Sequence, residues 1–248
     1  MRQKLKDQEV GMDTYFKYRG KNQTRLETFS DAAFALAITL LVLSSSVPET
    51  FTQLRESMQM VLPFAFCVVL ITLIWYQHYL FFLKYGLQDA NTVAINTFLI
   101  FLILVYVFPL KFLSRFLYAI YKPFFTDIRT DFVAEFGSFS HNDQRFLMMI
   151  YGIGAGLIFY TLAWLYRYAY SRRHSLELNR YEILDTKVSI TKNILQGTIP
   201  LLSFIVAWWD PFGNYITVIV SGFTYFLYPP VMIFNGIRAE KKLKALKP

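Results

Sequence analysis

Sulfur and imidazole are scarce in this chain. One cysteine, Cys67, and three histidines stand among 248 residues. A single thiol cannot close an intrachain disulfide, so cross-links and thiol redox pairs are excluded. Cys67 lies in an apolar run and reads as a small hydrophobic residue. His141 stands beside Asn142 and Asp143, but one histidine with two weak ligands falls short of the donor set of a zinc site. No Walker loop, HExxH, CxxC or GxSxG is present. The segment GIGAG, Gly152 to Gly156, follows no strand and has the wrong spacing for a dinucleotide loop. Gly152 and Gly156 instead form a small-xxx-small pair that lets another helix approach closely. No enzymatic constellation emerges, and no duplicated half is visible.

Long apolar runs are what the chain does have. It is 55% hydrophobic and 19% aromatic, and the apolar residues lie in blocks separated by short charged stretches. Crossing a bilayer core takes roughly 20 mostly apolar helical residues. Six stretches meet or approach that length: about 26–47, 58–83, 92–117, 145–168, 190–209 and 214–236. They are too continuously apolar for barrel strands, which alternate, so helices are predicted. The first run follows some 25 mixed residues without a small-residue cleavage site, so it is expected to remain as the first span.

The formal charge of +8 invites a nucleic-acid reading, but its distribution opposes one. Basic residues gather before the first run (Arg2, Lys4, Lys6, Lys17, Arg19, Lys21, Arg25), at Lys84, and around the fourth connection (Arg167, Arg172, Arg173, Arg180, Lys187, Lys192). A last group lies at the C-terminus (Arg238, Lys241, Lys242, Lys244, Lys247). With six spans, only Arg55, Lys111, Arg115, Lys122, Arg129 and Arg145 fall on the other side. That asymmetry is the positive-inside rule and places both termini in the cytoplasm. The basic ends are read as setting topology, with contact to anionic lipid heads as a second reading.

Residues 1–24 are expected to form a short surface helix or frayed tail. Pro48 should close the first span. Pro63, Pro109, Pro200, Pro229 and Pro230 fall within later spans, where proline frees a carbonyl and kinks the helix. The connection from Tyr118 to Asp143 is rich in Phe and acids. Its aromatics suit the interface, and Asn142 or Asp143 is expected to cap the fourth span.

RLETFSDAAFALAITLLVL, Arg25 to Leu43, opens a membrane helix with charges. Asp31 lies about 9 Å along from Arg25; on an antiparallel second helix, His78 lies about 9 Å and Trp75 about 13 Å back from Lys84. Trp75 and His78 are three apart and share a face. Such groups are costly in lipid, so an interhelical network is predicted, with Asp31 accepting from Arg25, the Trp75 indole or His78. A proton-relay role for Asp31 and His78 is an alternative. Further along, Leu36, Thr39, Leu40, Leu43 and Ser46/Val47 form one stripe at 100° per residue. Ala32, Ala33, Ala35 and Ala37 leave the other faces small. Such a stripe alone would face lipid by default, and Thr39 could bond back to the Ala35 carbonyl.

Arg25, Phe29, Ser30 and Asp31 fit R-x-x-x-F-S-D, and Trp75 with His78 fits W-x-x-H. In both motifs, and in six spans with inner termini, the chain resembles the transmembrane protein 175 family. Those are endosomal and lysosomal potassium channels and their prokaryotic relatives, and they lack the TVGYG filter of familiar potassium channels. The motifs cover a small part of the chain. Animal members carry two six-helix repeats and prokaryotic ones a single repeat that assembles as a homotetramer, so this chain resembles the prokaryotic form. The resemblance implies an all-α integral membrane protein of the plasma or inner membrane, with helix one lining a central pore. It implies constriction rings at Leu36, Leu40 and Leu43, and a Thr39 hydroxyl ring that favours potassium over sodium. It further implies a hydrogen-bond network of Arg25, Phe29, Ser30, Asp31, Trp75 and His78. The partners so implied are other copies of the chain, lipid and permeant K+, with no metal, cofactor or nucleic acid. The expected division is a cytoplasmic segment 1–24, a channel domain 25–237 and a basic tail 238–248. A secondary transporter using Asp31/His78 would want ionisable groups near the midplane and inverted repeats, neither of which is seen. A membrane enzyme built on Ser30, Asp31 and His78 lacks a geometry for hydrolysis.

Overall fold

The protein is described by a computed structural model covering residues 13, 15–43, 49–125 and 140–246, with the side chains at 42, 43, 56 and 120–125 left out. Among the described residues every regular element is a helix. They are α1 (Arg25–Leu43), α2 (Phe51–Gln59), α3 (Val61–Tyr85), α4 (Ala90–Phe125), α5 (His141–Ser171), α6 (Arg180–Trp209), α7 (Tyr215–Phe223), a 3-10 turn (Thr224–Leu227) and α8 (Tyr228–Lys244). Five helical stretches among the described residues are long and apolar enough to cross a membrane: α3, residues 90–119 of α4, α5, α6, and the run from Tyr215 to Lys244. This is an integral membrane protein.

Several helices outrun their apolar stretches. At 36 residues α4 is about 54 Å long, well beyond a hydrocarbon core of about 30 Å. It extends through Phe125 into what the sequence suggests is loop from Tyr118; residues 126–139 of that loop lie outside the described part. The α6 helix begins at Arg180, ten residues before its apolar run, because Asn179 and Glu182 form a capping box that nucleates it in polar sequence. The cap of α5 is Ser140, which accepts from the Asp143 backbone N–H while Asp143 accepts from that of Ser140. Asp143 is thus the N3 partner, and Asn142 is not the cap. Pro48 lies outside the described residues.

The prolines have specific solutions. Pro63 falls in the first turn of α3, where its missing N–H costs no hydrogen bond. Pro200, inside α6, cannot donate to the Gln196 carbonyl four residues back. The Tyr228 hydroxyl donates to that carbonyl at 2.8 Å instead. Pro229 and Pro230 open α8 after a 3-10 turn, so the last apolar run is broken into two helices.

The most extensive helix pair is α5 with α6. A Cβ at Gly152 would lie 2.6 Å from the Pro200 carbonyl oxygen, and one at Gly156 would lie 2.9 Å from a Leu201 methyl. The small-xxx-small pair is therefore a contact surface between these helices. The other half packs α1 on α4 and α3, with Phe34, Ala37, Leu41, Ile71, Phe81, Phe82 and Leu99 in the core.

Residues 15–24, expected to be a surface helix or frayed tail, form a packed strap before α1. Phe16 and Tyr18 are buried. The backbone N–H groups of Arg19 and Gly20 donate to the Lys84 and Leu83 carbonyls at the end of α3. Gly86 ends α3 in the left-handed region (φ 58°), and its N–H bonds the Phe82 carbonyl. Gly20 passes so close to α3 that an added Cβ would sit 2.0 Å from the Phe82 carbonyl oxygen, so no other residue fits. Arg19 then reaches Glu182 at the start of α6 (2.9 Å).

Candidate functional site

The start of α1 is built by a capping box. The Thr24 hydroxyl accepts from the Glu27 N–H, and the Glu27 carboxylate accepts from the Thr24 N–H and hydroxyl (3.2 and 2.8 Å). One charge of RLETFSD is therefore spent on nucleating the helix.

The next charge joins α1 to α3. The Trp75 indole N–H donates to Asp31 Oδ1 at 2.8 Å, and Gln23 donates to Oδ2 at 3.2 Å. His78 does not bond Asp31. Its Nε2 lies 2.7 Å from Asn96 Oδ1 on α4, and Asn96 Nδ2 donates to the Ser30 hydroxyl at 2.9 Å. Ser30 in turn donates to the Leu26 carbonyl at 2.8 Å. Since Asn96 spends its NH2 on Ser30, its oxygen accepts, and Nε2 of His78 carries the proton. Ser30, His78 and Asn96 are all buried, and the three form a chain of donors across α3, α4 and α1. Such a satisfied chain is stable inside a bundle, while any member left unpaired there is costly.

Asn96 is absent from the sequence reading. It sits in an otherwise apolar run, and an intramembrane Asn level with a buried His was the signal that could have found it.

Arg25 and Phe29 stand apart from this network. Both are exposed, Phe29 at 59%. Among the described residues Arg25 makes no ion pair or hydrogen bond to Asp31. Arg25, Phe29, Ala32, Leu36, Thr39 and Leu40 fall on one stripe of α1 at 3.6 residues per turn. All six are exposed in the single chain, Leu36 at 49% and Leu40 at 40%. The opposite face, Ala33, Phe34, Ala37 and Leu41, is buried. The Leu43 side chain and Ser46/Val47 lie outside the described residues.

Thr39 donates its hydroxyl hydrogen to the Ala35 carbonyl at 2.8 Å. Its oxygen keeps both lone pairs, and on an exposed face these are free to accept or to coordinate.

A second polar junction lies at the other end of α5 and α6. Asp210, the left-handed C-cap of α6, accepts from Thr217 (2.7 Å) and pairs with Arg145 (3.2 Å) and His141 (3.3 Å). The Thr217 hydroxyl first, then His141 and Arg145, hold its carboxyl below the usual range against some desolvation. Arg145 also caps the Ala207 and Trp208 carbonyls. Among the described residues no group of three or more His, Cys, Asp or Glu could hold a metal. His141 contributes its Nε2 to this junction, 3.3 Å from the Asp210 carboxylate.

The fold and this geometry define a helical membrane protein in which the apolar helix α1, pinned at one end to two others, leaves a lengthwise stripe exposed. The family described as endosomal/lysosomal potassium channel TMEM175 matches residues 25–109, which hold α1, α2, α3 and the first part of α4. A protein of Marivirga tractuosa named "Potassium channel" is 56% identical over 237 residues, 96% of each chain. The crystal structure of a threonine-to-alanine variant of the potassium channel MtTMEM175, bound to a nanobody–MBP fusion, superposes with a TM-score of 0.86. It is 56% identical and spans 94% of this chain and 100% of its own. A lysosomal potassium-selective channel TMEM175 homologue from Chamaesiphon minutus shares the fold (TM-score 0.53, 21% identity, 87% of this chain and 96% of its own). The chain belongs to the TMEM175 family.

Proposed function

We propose that the chain is the subunit of a passive, potassium-selective channel of the cell membrane, in which α1 of each of four copies lines a central pore. The observation that carries this is the two-sidedness of α1. The face of Ala33, Phe34, Ala37 and Leu41 is buried in the subunit, while Arg25, Phe29, Leu36, Thr39 and Leu40 line up exposed. The 19 residues of α1 span about 28 Å, close to the hydrocarbon thickness, so this helix serves as a sixth span beside the five. Six spans over residues 25–237, with the basic segments 1–24 and 238–248 in the cytoplasm, agree with the positive-inside distribution.

In a homotetramer the rings of Leu36, Leu40 and Leu43 form apolar constrictions that close by dewetting. Between them four Thr39 oxygens, each with its hydrogen turned back to Ala35, supply a layer of ligands that replaces part of the hydration shell of K+. Ser30, Asp31, Trp75 and His78 are positioning residues: they fix the tilt and rotation of α1. Arg25 and Phe29 belong to the exposed stripe at the inner mouth. No cofactor enters, and K+ is the permeant ion. The full names of the relatives at 56% identity support potassium as that ion.

The test is ion flux into liposomes holding the purified protein, under a potassium and then a sodium gradient, for wild type and Thr39→Ala. Potassium-preferring flux that loses its preference in the variant supports the reading. An unchanged potassium-to-sodium ratio removes Thr39 from the filter, and no flux from folded protein removes the channel.

A further inference from the structure

Three acidic side chains at the inner ends of the helices are engaged by cations. Glu182 pairs with Arg19 (2.9 Å), Asp185 with Lys84 (2.6 Å), and Asp89 with Arg172 (3.8 Å) while accepting from Tyr168. Two other cations, Arg173 and Lys187, meet on one aromatic ring. The Arg173 guanidinium lies 4.9 Å from the centroid of the Tyr170 ring, and the Lys187 ammonium lies 5.4 Å from the same centroid. They arrive from different elements, Arg173 from just beyond α5 and Lys187 from two turns into α6. Sharing one ring keeps the two charges within about 10 Å of each other. Among the described residues neither makes an ion pair. Arg173 donates only to the Tyr170 carbonyl (3.3 Å), and Lys187 is exposed.

Two like charges held together on an aromatic ring without a counter-ion repel each other and favour an anion between them. Arg supplies planar donors matched to phosphate, and Lys a mobile point charge. Lys187 sits about 10 Å along α6 from Arg180, a depth that suits a phosphodiester above its acyl chains rather than a solute in bulk water. The geometry points to a binding site for the headgroup of an anionic phospholipid, clasped by Arg173 and Lys187 across Tyr170 at the α5–α6 turn. Placing it in the inner leaflet rests on the topology proposed above; the headgroup assignment does not.

Native mass spectrometry of the intact purified channel tests this, with phosphatidylglycerol and phosphatidylethanolamine titrated in parallel. Wild type should retain phosphatidylglycerol preferentially. Arg173→Gln/Lys187→Gln should lower its apparent affinity about tenfold, since each basic residue at a membrane surface contributes a several-fold factor. Arg173→Lys/Lys187→Arg should retain it, and so should Arg55→Gln on α2, which precedes the end of α3 opposite the Lys84–Asp185 pair. Equal retention in the first double variant overturns the site. So does equal binding of the zwitterionic lipid, or displacement of the lipid by millimolar inorganic phosphate, which would assign the cations to a soluble anion. If the glutamine variant does not assemble, loss of preference in the charge-retaining variant overturns it too.

Discussion

The Trp75 indole nitrogen stands 2.8 Å from Asp31 Oδ1, joining residues 44 apart in sequence on two neighbouring helices. It is a charge-assisted bond, and the carboxylate has only Gln23 as a further side-chain donor among the described residues. Trp75→Phe keeps the ring volume nearly intact and removes the donor. Stability should fall by about 1–2 kcal/mol, toward the lower end for a hydrogen bond to a charged group at a part-buried site. The check is the thermal unfolding midpoint of the variant in detergent; an unchanged midpoint would show that Asp31 is satisfied without Trp75.

Asn96→Ala should cost more than Ser30→Ala. The first strands both His78 Nε2 and the Ser30 hydroxyl oxygen, whereas the second strands only one Asn96 hydrogen. Each buried polar group so abandoned costs about 1–3 kcal/mol. Equal midpoints for the two variants would contradict a linear chain of donors.

With α1 lining the pore as proposed, Leu36→Ala and Leu40→Ala should each raise resting potassium leak, because a smaller apolar ring would admit water at lower cost. Single-channel or liposome flux recordings report this directly. Wild-type leak in both would move the constriction away from this stripe.

Gly152→Val should destabilise the α5–α6 pair by about 1–3 kcal/mol, the usual cost of overpacking, since even a single carbon there meets the Pro200 carbonyl at 2.6 Å. Gly222→Ala, with nothing within 4 Å of its added carbon, is the control. A loss in Gly222→Ala as large as that in Gly152→Val would show that contact with Pro200 does not set the cost.

Acid should weaken the Asp210 junction. Its carboxyl is held below the ordinary value of 3.8 by Thr217, His141 and Arg145. A depressed folded-state value contributes stability above the unfolded one, lost as pH falls through the folded one. Wild type should therefore lose stability from about pH 4 downward, and Asp210→Asn should flatten that limb while lowering stability at neutral pH. A midpoint-against-pH series in detergent tests it: parallel acid limbs would exclude Asp210 as the group responsible.

How much of this was legible before the structure depended on whether depth or rotation carried the information. Counting residues from Arg25 and Lys84 places Asp31, Trp75 and His78 at one level, and rise per residue is nearly constant. Which of two acceptors His78 chooses depends on helix rotation, and Asn96 on a third helix wins that competition. The stripe from Leu36 to Leu40 follows from periodicity, but periodicity alone says nothing of what lies opposite. The Thr24–Glu27 box is written in the sequence as T-x-x-E, a local pattern that needs no knowledge of the neighbouring helices. The strap at Phe16 to Gly20 was not readable, since its burial comes from the end of α3 and the start of α6 and not from its own pattern.

That strap has a mechanical consequence. Gly20 is hydrogen-bonded to Leu83, and Asp31 is hydrogen-bonded to Trp75, so both ends of the segment between them are tied to the same helix, α3. Sliding α1 past α3 by even one turn, about 5.4 Å, or rotating it, would break the 2.8 Å bond between Trp75 and Asp31. Piston travel and free spinning of α1 are thereby closed off. What remains is a bend: the first third of α1 is clamped by hydrogen bonds, and the arm beyond Leu36 moves only by giving up the packing of Ala37 and Leu41.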